Sequence, residues 1–217
     1  MTLAKRLIPA LPALQKSKTT QPINIILLGD PAAGKATHGA FLAKKFNLYD
    51  LDMGRELRNL EQNIFLRKKY KLDKTLDNGK LTPTELVRKL LYDKIYNTSQ
   101  KQGILFNGTP KMLGEAKLVS KWLKNEKRGN IIFIYLSVPL SETIKRMTGR
   151  KTYFKGKFSK RPDDNNKALK NRIAYYKKNI SEVVKYFKKL YPFINISTLG
   201  NIPIARKRLL TRLNKYA

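Results

Sequence analysis

Apolar residues along this chain follow two rhythms. Short, nearly continuous apolar runs occur at 23–28 (INIILL), 103–108 (GILFNG), 131–137 (IIFIYLS) and 193–197 (FINIS). Runs of this kind mark strands buried on both faces, as in a parallel sheet. Between them, apolar residues recur at helical spacing and predict helices over 34–46, 83–97, 112–125, 139–147, 166–190 and 202–215. Within 166–190, Ile173, Tyr176, Ile180, Val183, Val184, Phe187 and Leu190 share one face and are expected in the core. Strands alternating with helices predict an α/β fold, a parallel sheet flanked by helices. No internal repeat interrupts the alternation, and the glycine- and lysine-rich stretch 149–160 reads as a mobile loop.

The 217 residues suffice for one domain with a sizeable core, and 41% of them are hydrophobic, which argues against a disordered chain. No uncharged apolar stretch reaches the length of a membrane span. The absence of cysteine excludes disulfides and thiolate metal sites, so no structural zinc is expected. It also fits a reducing compartment such as the cytoplasm. The single histidine, His38, cannot build a metal cluster alone.

Charge changes the picture. Lys and Arg total 46 against 15 acids, a net of +31. Residues 1–110 carry 19 basic and 9 acidic residues, and residues 111–217 carry 27 and 6. Such an excess favours polyanionic partners, whether nucleotides, RNA or an anionic surface. A proteome-wide bias is the competing explanation, since Lys, Asn, Ile and Tyr are all frequent. Residues 1–22 contain no acid, four basic residues and three prolines, and read as a basic extension ahead of a domain spanning 23–217. Its composition also suits an import presequence, which would place the protein in the mitochondrial matrix instead.

The first apolar run leads into GDPAAGK (29–35), which fits G-x-x-x-x-G-K between a strand and a helix. In that setting backbone N–H groups converge on phosphate oxygens and the helix N-terminus adds positive potential. Lys35 is expected to reach the β- and γ-phosphates. Ala36 occupies the usual Ser/Thr position, and Thr37 follows it. The bland alternative is an ordinary turn before a helix; strand, motif and helix in register favour the phosphate loop.

The longer pattern G-x-P-x-x-G-K-x-T resembles the adenylate kinase family of nucleoside monophosphate kinases. Four further segments resemble it in the same order: NGKLTPTELVRKLLYDKI (78–95), ILFNGTPKMLGEA (104–116), RMTGRK (146–151) and KRPDDNNKALKNRIAYYKK (160–178). The resemblance implies a five-stranded parallel sheet, a small monophosphate-binding helical insert at 52–80 and a short lid at 148–165. It implies phosphoryl transfer from Mg-ATP to a nucleoside monophosphate, most simply AMP, with Mg²⁺ bound together with ATP. Gly29, Ala32, Ala33, Gly34, Lys35, Ala36, Thr37, Arg146 and Arg150 would bind ATP. Gly54, Arg58, Lys111, Glu115, Arg161 and Arg172 would bind the monophosphate. Lys35, Arg146, Arg161 and Arg172 would act on the transferring group, and Asp163 and Asp164 would help close the lid. Arginines suit this work, because they stabilise spread-out phosphoryl charge with planar donors that never deprotonate. Lid closure would exclude water and prevent simple hydrolysis.

The chain departs from the family at several of these places. Met53-Gly54-Arg55 stands for Thr-Gly-Asp, Asn107 for the acid that opens the Asp-Gly-Phe-Pro-Arg turn, Thr109 for its Phe and Lys111 for its Arg. Glu115 stands for the Gln that would read the acceptor base, and Ala36 for a Gly. A carboxylate accepts hydrogen bonds but cannot donate them, so Glu115 suits the exocyclic amine of adenine or cytosine and leaves the acceptor base open. Lys111 keeps charge but loses the bidentate fork.

Two principal readings follow. One is an active nucleoside monophosphate kinase. The other is a kinase-like fold reused as an RNA-binding or structural subunit of a ribonucleoprotein such as an organellar ribosome. The second draws on the charge, the acid-free arm, Arg206-Lys207-Arg208 and the lysines interleaved with Tyr153, Phe154 and Phe158, which would suit backbone contact and stacking. A kinase acting on another small phosphorylated acceptor is a third, less supported reading.

Overall fold

A computed structural model describes residues 21–75, 84–149, 152–154, 157–159, 173–174 and 176–216. Strand β1 (Asn24–Gly29) runs into helix α1 (Lys35–Phe46), then β2 (Leu48–Asp52) and the short helices α2 (Met53–Glu61), α3 (Ile64–Lys69) and α4 (Leu72–Thr75). Next come α5 (Thr84–Asn97), β3 (Gly103–Asn107), α6 (Leu113–Asn125), β4 (Ile131–Ser137) and α7 (Leu140–Gly149). A hairpin of β5 (Thr152–Phe154) and β6 (Lys157–Ser159) follows. A π-helical turn, Tyr176–Ile180, leads into α8 (Ser181–Leu190), β7 (Phe193–Ser197) and α9 (Ile202–Leu213).

Five strands form one parallel sheet in the order β2-β3-β1-β4-β7. The central strand shows why its sequence is continuously apolar. Side chains alternate between faces, so Ile26 and Leu28 enter one cluster with Phe106, Phe133, Leu91, Val119, Val183 and Phe187. Ile25 and Leu27 enter the other with Leu105, Ile134, Leu42, Leu209 and Leu213. Helices cover both faces, so both sets of side chains leave water, each stabilising the fold by about 1.5–3 kcal/mol.

The four apolar runs are four of the five strands. The fifth strand, β2, has the sequence LYDLD, and its two aspartates hid it from a search for apolar runs. It lies at the sheet edge, where only Leu48 and Leu51 are buried. The stretch 149–160, expected to be a loop, contains the antiparallel pair β5–β6, with Tyr153 opposite Phe158. A two-stranded pair this short gives little apolar periodicity for a sequence reading to detect. Of the residues expected on the core face of the last long helix, Tyr176, Ile180, Val183 and Phe187 are buried, whereas Ile173 and Val184 are half-buried. Leu190 is 49% exposed, because it sits in the last turn of α8, where the helix has run past the core.

The first two of the short helices after β2 start on side-chain caps. Asp52 accepts from the N–H of Arg55 at 3.1 Å at the start of α2, and Asn63 accepts from Leu66 at 3.1 Å at the start of α3. Each such cap is worth about 1 kcal/mol. Met53, Leu57 and Leu72 tie these helices to the core cluster on the α5 side.

Candidate active site

The carboxyl ends of β1, β3 and β2 lie side by side, and each runs into a glycine-containing turn or a helix start. β1 ends at Gly29, β3 at Asn107 followed by Gly108, and β2 at Asp52 followed by Met53-Gly54. Ligands of open parallel sheets bind at this edge.

The loop after β1 is held from several directions. A side chain at Gly29 would place its Cβ 2.4 Å from the Leu136 carbonyl oxygen on β4, so only glycine fits. Asp30 accepts from the Tyr135 hydroxyl at 2.7 Å and from the Val138 N–H at 2.8 Å. Burial, reinforced by the hydrogen bond to Asp30, holds the Tyr135 phenol far above its ordinary range, so it stays a donor. Ala32 (φ 58°) and Gly34 (φ 82°) take left-handed backbone and bend the loop, while Ala33 is fully buried beneath it. Helix α1 then starts at Lys35, with Ala36 and Thr37 exposed in its first turn.

The Lys35 ammonium donates to the carbonyls of Gly29 at 2.6 Å and Asp30 at 2.7 Å, and it lies 5.7 Å from the centre of the Tyr176 ring. The Tyr176 hydroxyl is bonded in turn to the backbone N–H and carbonyl of Gly29. Across the loop, the stem of Lys35 passes Gly108: a Cβ at that glycine would be 3.7 Å from the lysine Cε.

Arg146, on α7, is tethered at both ends of its guanidinium. Its Nε pairs with Glu142 at 2.8 Å, and its terminal nitrogens donate to the carbonyls of Thr198 at 2.8 Å and Ala32 at 3.4 Å. It therefore spans from the loop after β1 to the segment after β7. On the opposite flank, the Arg58 guanidinium lies over Gly54, where a Cβ would be 3.3 Å from one terminal nitrogen. Glu115 is only 3% exposed, and its Oε2 accepts from the N–H groups of Lys111 at 3.2 Å and Met112 at 3.3 Å. It thus closes the first turn of α6; burial raises its carboxyl above the ordinary range despite these donors.

The family model described as adenylate kinase matches residues 27–191. The chain belongs to the adenylate kinase family. It is 30% identical to the adenylate kinase of Buchnera aphidicola subsp. Cinara cedri, over 88% of this chain and 97% of the relative. It is 32% identical to the adenylate kinase of Flavobacterium johnsoniae, over 86% of this chain and 96% of the relative. The adenylate kinase of Flavobacterium psychrophilum is 31% identical, over 88% and 98%. As a member of the adenylate kinase family the chain is a nucleoside monophosphate phosphotransferase.

Of the site residues expected for this family, the structure brings Gly29, Ala32, Ala33, Gly34, Lys35 and Arg146 together around the loop after β1, and places Gly54 and Arg58 beside the end of β2. Lys111 and Glu115 sit together at the start of α6. Arg150, Arg161, Asp163, Asp164 and Arg172 lie outside the described residues. Among the described residues no three His, Asp or Glu side chains gather as a metal-binding group, and no helix is long and apolar enough to cross a membrane.

Three residues of this edge escaped the sequence reading. Asp50 accepts from Asn107 and pairs with Arg55. Tyr135 sits in the middle of an apolar run, where nothing marked its hydroxyl as a partner of Asp30. His38 is buried under Gly34, and its Nδ1 has no hydrogen-bond partner. Burial, with Arg206 and Arg146 nearby, lowers its pKa below the usual 6.5. The one available signal was for Asp50: two acids at alternate positions of an edge strand, in a chain with 15 acids in all.

Proposed function

We propose that the chain transfers a phosphoryl group from Mg-ATP to AMP, giving two molecules of ADP. The observation that carries this reading is the convergence of Lys35 with its loop and Arg58 with Gly54 at one edge of the sheet, a donor-phosphate side after β1 and an acceptor-phosphate side after β2, with only β3 between the two strands. Magnesium enters as part of the nucleotide substrate.

In this reading the loop N–H groups and the start of α1, Ala36 and Thr37 included, take the ATP phosphates. Lys35 exchanges the carbonyls of Gly29 and Asp30 for the β- and γ-phosphates. Arg146 flanks the donor nucleotide, with Arg150 from the following segment. Arg58 and Lys111 bind the acceptor phosphate, and Arg161 and Arg172 stabilise the group in transit. The insert at 52–80 closes over the monophosphate. The lid at 148–165, which includes the β5–β6 pair, closes over ATP with the help of Asp163 and Asp164. The protein supplies position and electrostatic stabilisation rather than covalent chemistry.

AMP is favoured over other acceptors by the relatives, which are adenylate kinases and match this chain over nearly their whole length. The cysteine-free composition suits a reducing compartment, the cytoplasm or, as the alternative, the mitochondrial matrix. The ribonucleoprotein reading, with RNA on the basic surface, has only charge and the motif departures behind it. The test is ADP formation from Mg-ATP with AMP, CMP, UMP and GMP in turn, with Lys35→Ala as control. Turnover with AMP that the variant loses supports the reading. Turnover with CMP or UMP alone would move the specificity question to Glu115 and Met53. No turnover with any acceptor would overturn it.

A further inference from the structure

Two departures from the family pattern, Arg55 and Asn107, meet at one side chain. Asp50 lies in β2, and its carboxylate is mostly shielded, with 16% of the side chain exposed. One oxygen accepts from the Asn107 amide at 3.1 Å, and the other pairs with the Arg55 guanidinium at 3.2 Å. Arg55 also donates to the Asp50 backbone carbonyl, so it grips the strand twice. Its own N–H is held by Asp52, which caps α2.

The chain of contacts continues in both directions. Arg55 is in the first turn of α2, the helix that carries Arg58. Asn107 is buried between Asp50 and α1: a Cβ at Gly39 of α1 would fall 2.3 Å from its amide nitrogen. The residue after Asn107 is Gly108, past which the Lys35 stem runs. A continuous polar and packed path therefore leads from α1 and Lys35 through Asn107 and Asp50 to Arg55 and the start of α2.

We propose that Asp50 is a positioning residue for phosphoryl transfer: through Asn107 and Arg55 it sets the start of α2, and with it Arg58, relative to Lys35. The inference rests on the reading of Arg58 as an acceptor-phosphate ligand. In-line transfer needs donor and acceptor held to within a fraction of an ångström, and a carboxylate shared between two elements locks their separation better than either contact alone. It also gives the departures a common cause. The acid absent at position 107 is supplied one strand away at position 50, and an arginine at position 55 is tolerated because that acid neutralises it.

The arrangement makes an unusual prediction. Restoring the family acid with Asn107→Asp would bring two carboxylates to about 3 Å, a repulsive contact in a shielded place, so it should harm this chain. Asp50→Asn leaves Arg55 without its ion pair. The double exchange Asp50→Asn/Asn107→Asp rebuilds a donor and an acceptor across the same gap.

The experiment measures KM for AMP and for ATP, kcat, calorimetric Kd for each nucleotide, and thermal stability, for wild type, both single variants and the double variant. The expected result is that each single variant raises KM and Kd for AMP by about tenfold or more with little change for ATP, and that the double variant, which regains the contact across the gap but not the Arg55 ion pair, recovers part of the loss. Three results overturn the proposal: losses that add in the double variant, an Asp50→Asn protein within twofold of wild type, or parallel weakening of ATP and AMP that tracks a fall in Tm. The wild-type turnover assay tests the kinase reading separately. The Kd values report the positioning whether or not turnover is fast.

Discussion

The Tyr176 hydroxyl holds Gly29 by its backbone, accepting from the N–H at 3.2 Å and donating to the carbonyl of the same residue. One side chain from the turn before α8 thus fixes the first residue of the loop after β1, whose carbonyl Lys35 also engages. Tyr176→Phe keeps the ring beside Lys35 but removes both hydrogen bonds; the Gly29 carbonyl keeps Lys35, and the buried Gly29 N–H loses the tyrosine oxygen. A loss of about 1–3 kcal/mol is expected, read as a lower urea midpoint with an unchanged slope. KM for ATP should rise more than KM for the acceptor.

Lys35→Ala should leave the fold intact, since the side chain serves the loop and not the core. Turnover should fall by about a hundredfold or more, as is usual when a charge that stabilises the transferring phosphoryl group is removed. Steady-state ADP formation and a far-UV melt of the same preparation check both halves of the prediction.

His38 makes stability depend on acidity in a definable direction. Its folded-state pKa lies below the unfolded value of 6.5, first through burial and then through Arg206 and Arg146. The unfolded chain therefore takes up the proton first. Stability from this site is complete above pH 6.5 and declines as pH falls through that value, levelling off below the folded-state pKa. His38→Gln should flatten the pH dependence of the unfolding free energy between neutrality and mild acid, in a denaturation series over that window.

Glu115 has the opposite dependence. Burial raises its folded-state pKa above 4.5. The unfolded chain releases this proton first as pH rises, so holding the group buried costs stability that grows from pH 4.5 upward until the folded-state pKa is passed. Glu115→Gln keeps an acceptor oxygen for the N–H groups of Lys111 and Met112 and removes the charge. The variant should be more stable than wild type at pH 7.5 and nearly equal to it at pH 4. If Glu115 faces the acceptor base, KM for AMP should fall in the same variant.

Gly39→Ala tests the packing that confines Asn107. A methyl group 2.3 Å from the Asn107 amide must push it away from Asp50. Overpacking of this kind costs about 1–3 kcal/mol, and the falling Tm should come with a raised KM for AMP.

The sequence by itself determined the strands at 24–29, 103–107 and 131–137, because a strand buried on both faces must be apolar at nearly every position, and the edge strand at 193–197, where Ile194 and Ile196 alternate with exposed Asn195 and Ser197. It also determined the loop at 29–35, whose glycines and lysine answer to local backbone geometry and to one ligand class. Tertiary structure alone decided β2. Its aspartates are admitted because the strand lies at an edge and because Asn107, from a neighbouring strand, and Arg55, from the next helix, satisfy one of them. The same holds for Glu115, which the sequence places where the family reads the acceptor base and the fold makes a buried cap. It holds also for His38, whose pKa is lowered first by its burial in the fold and then by Arg206 and Arg146, both far along the chain. Local pattern reports how a residue suits its own element; the partner that gives a polar side chain its role comes from a distant part of the chain, and only folding brings the two together.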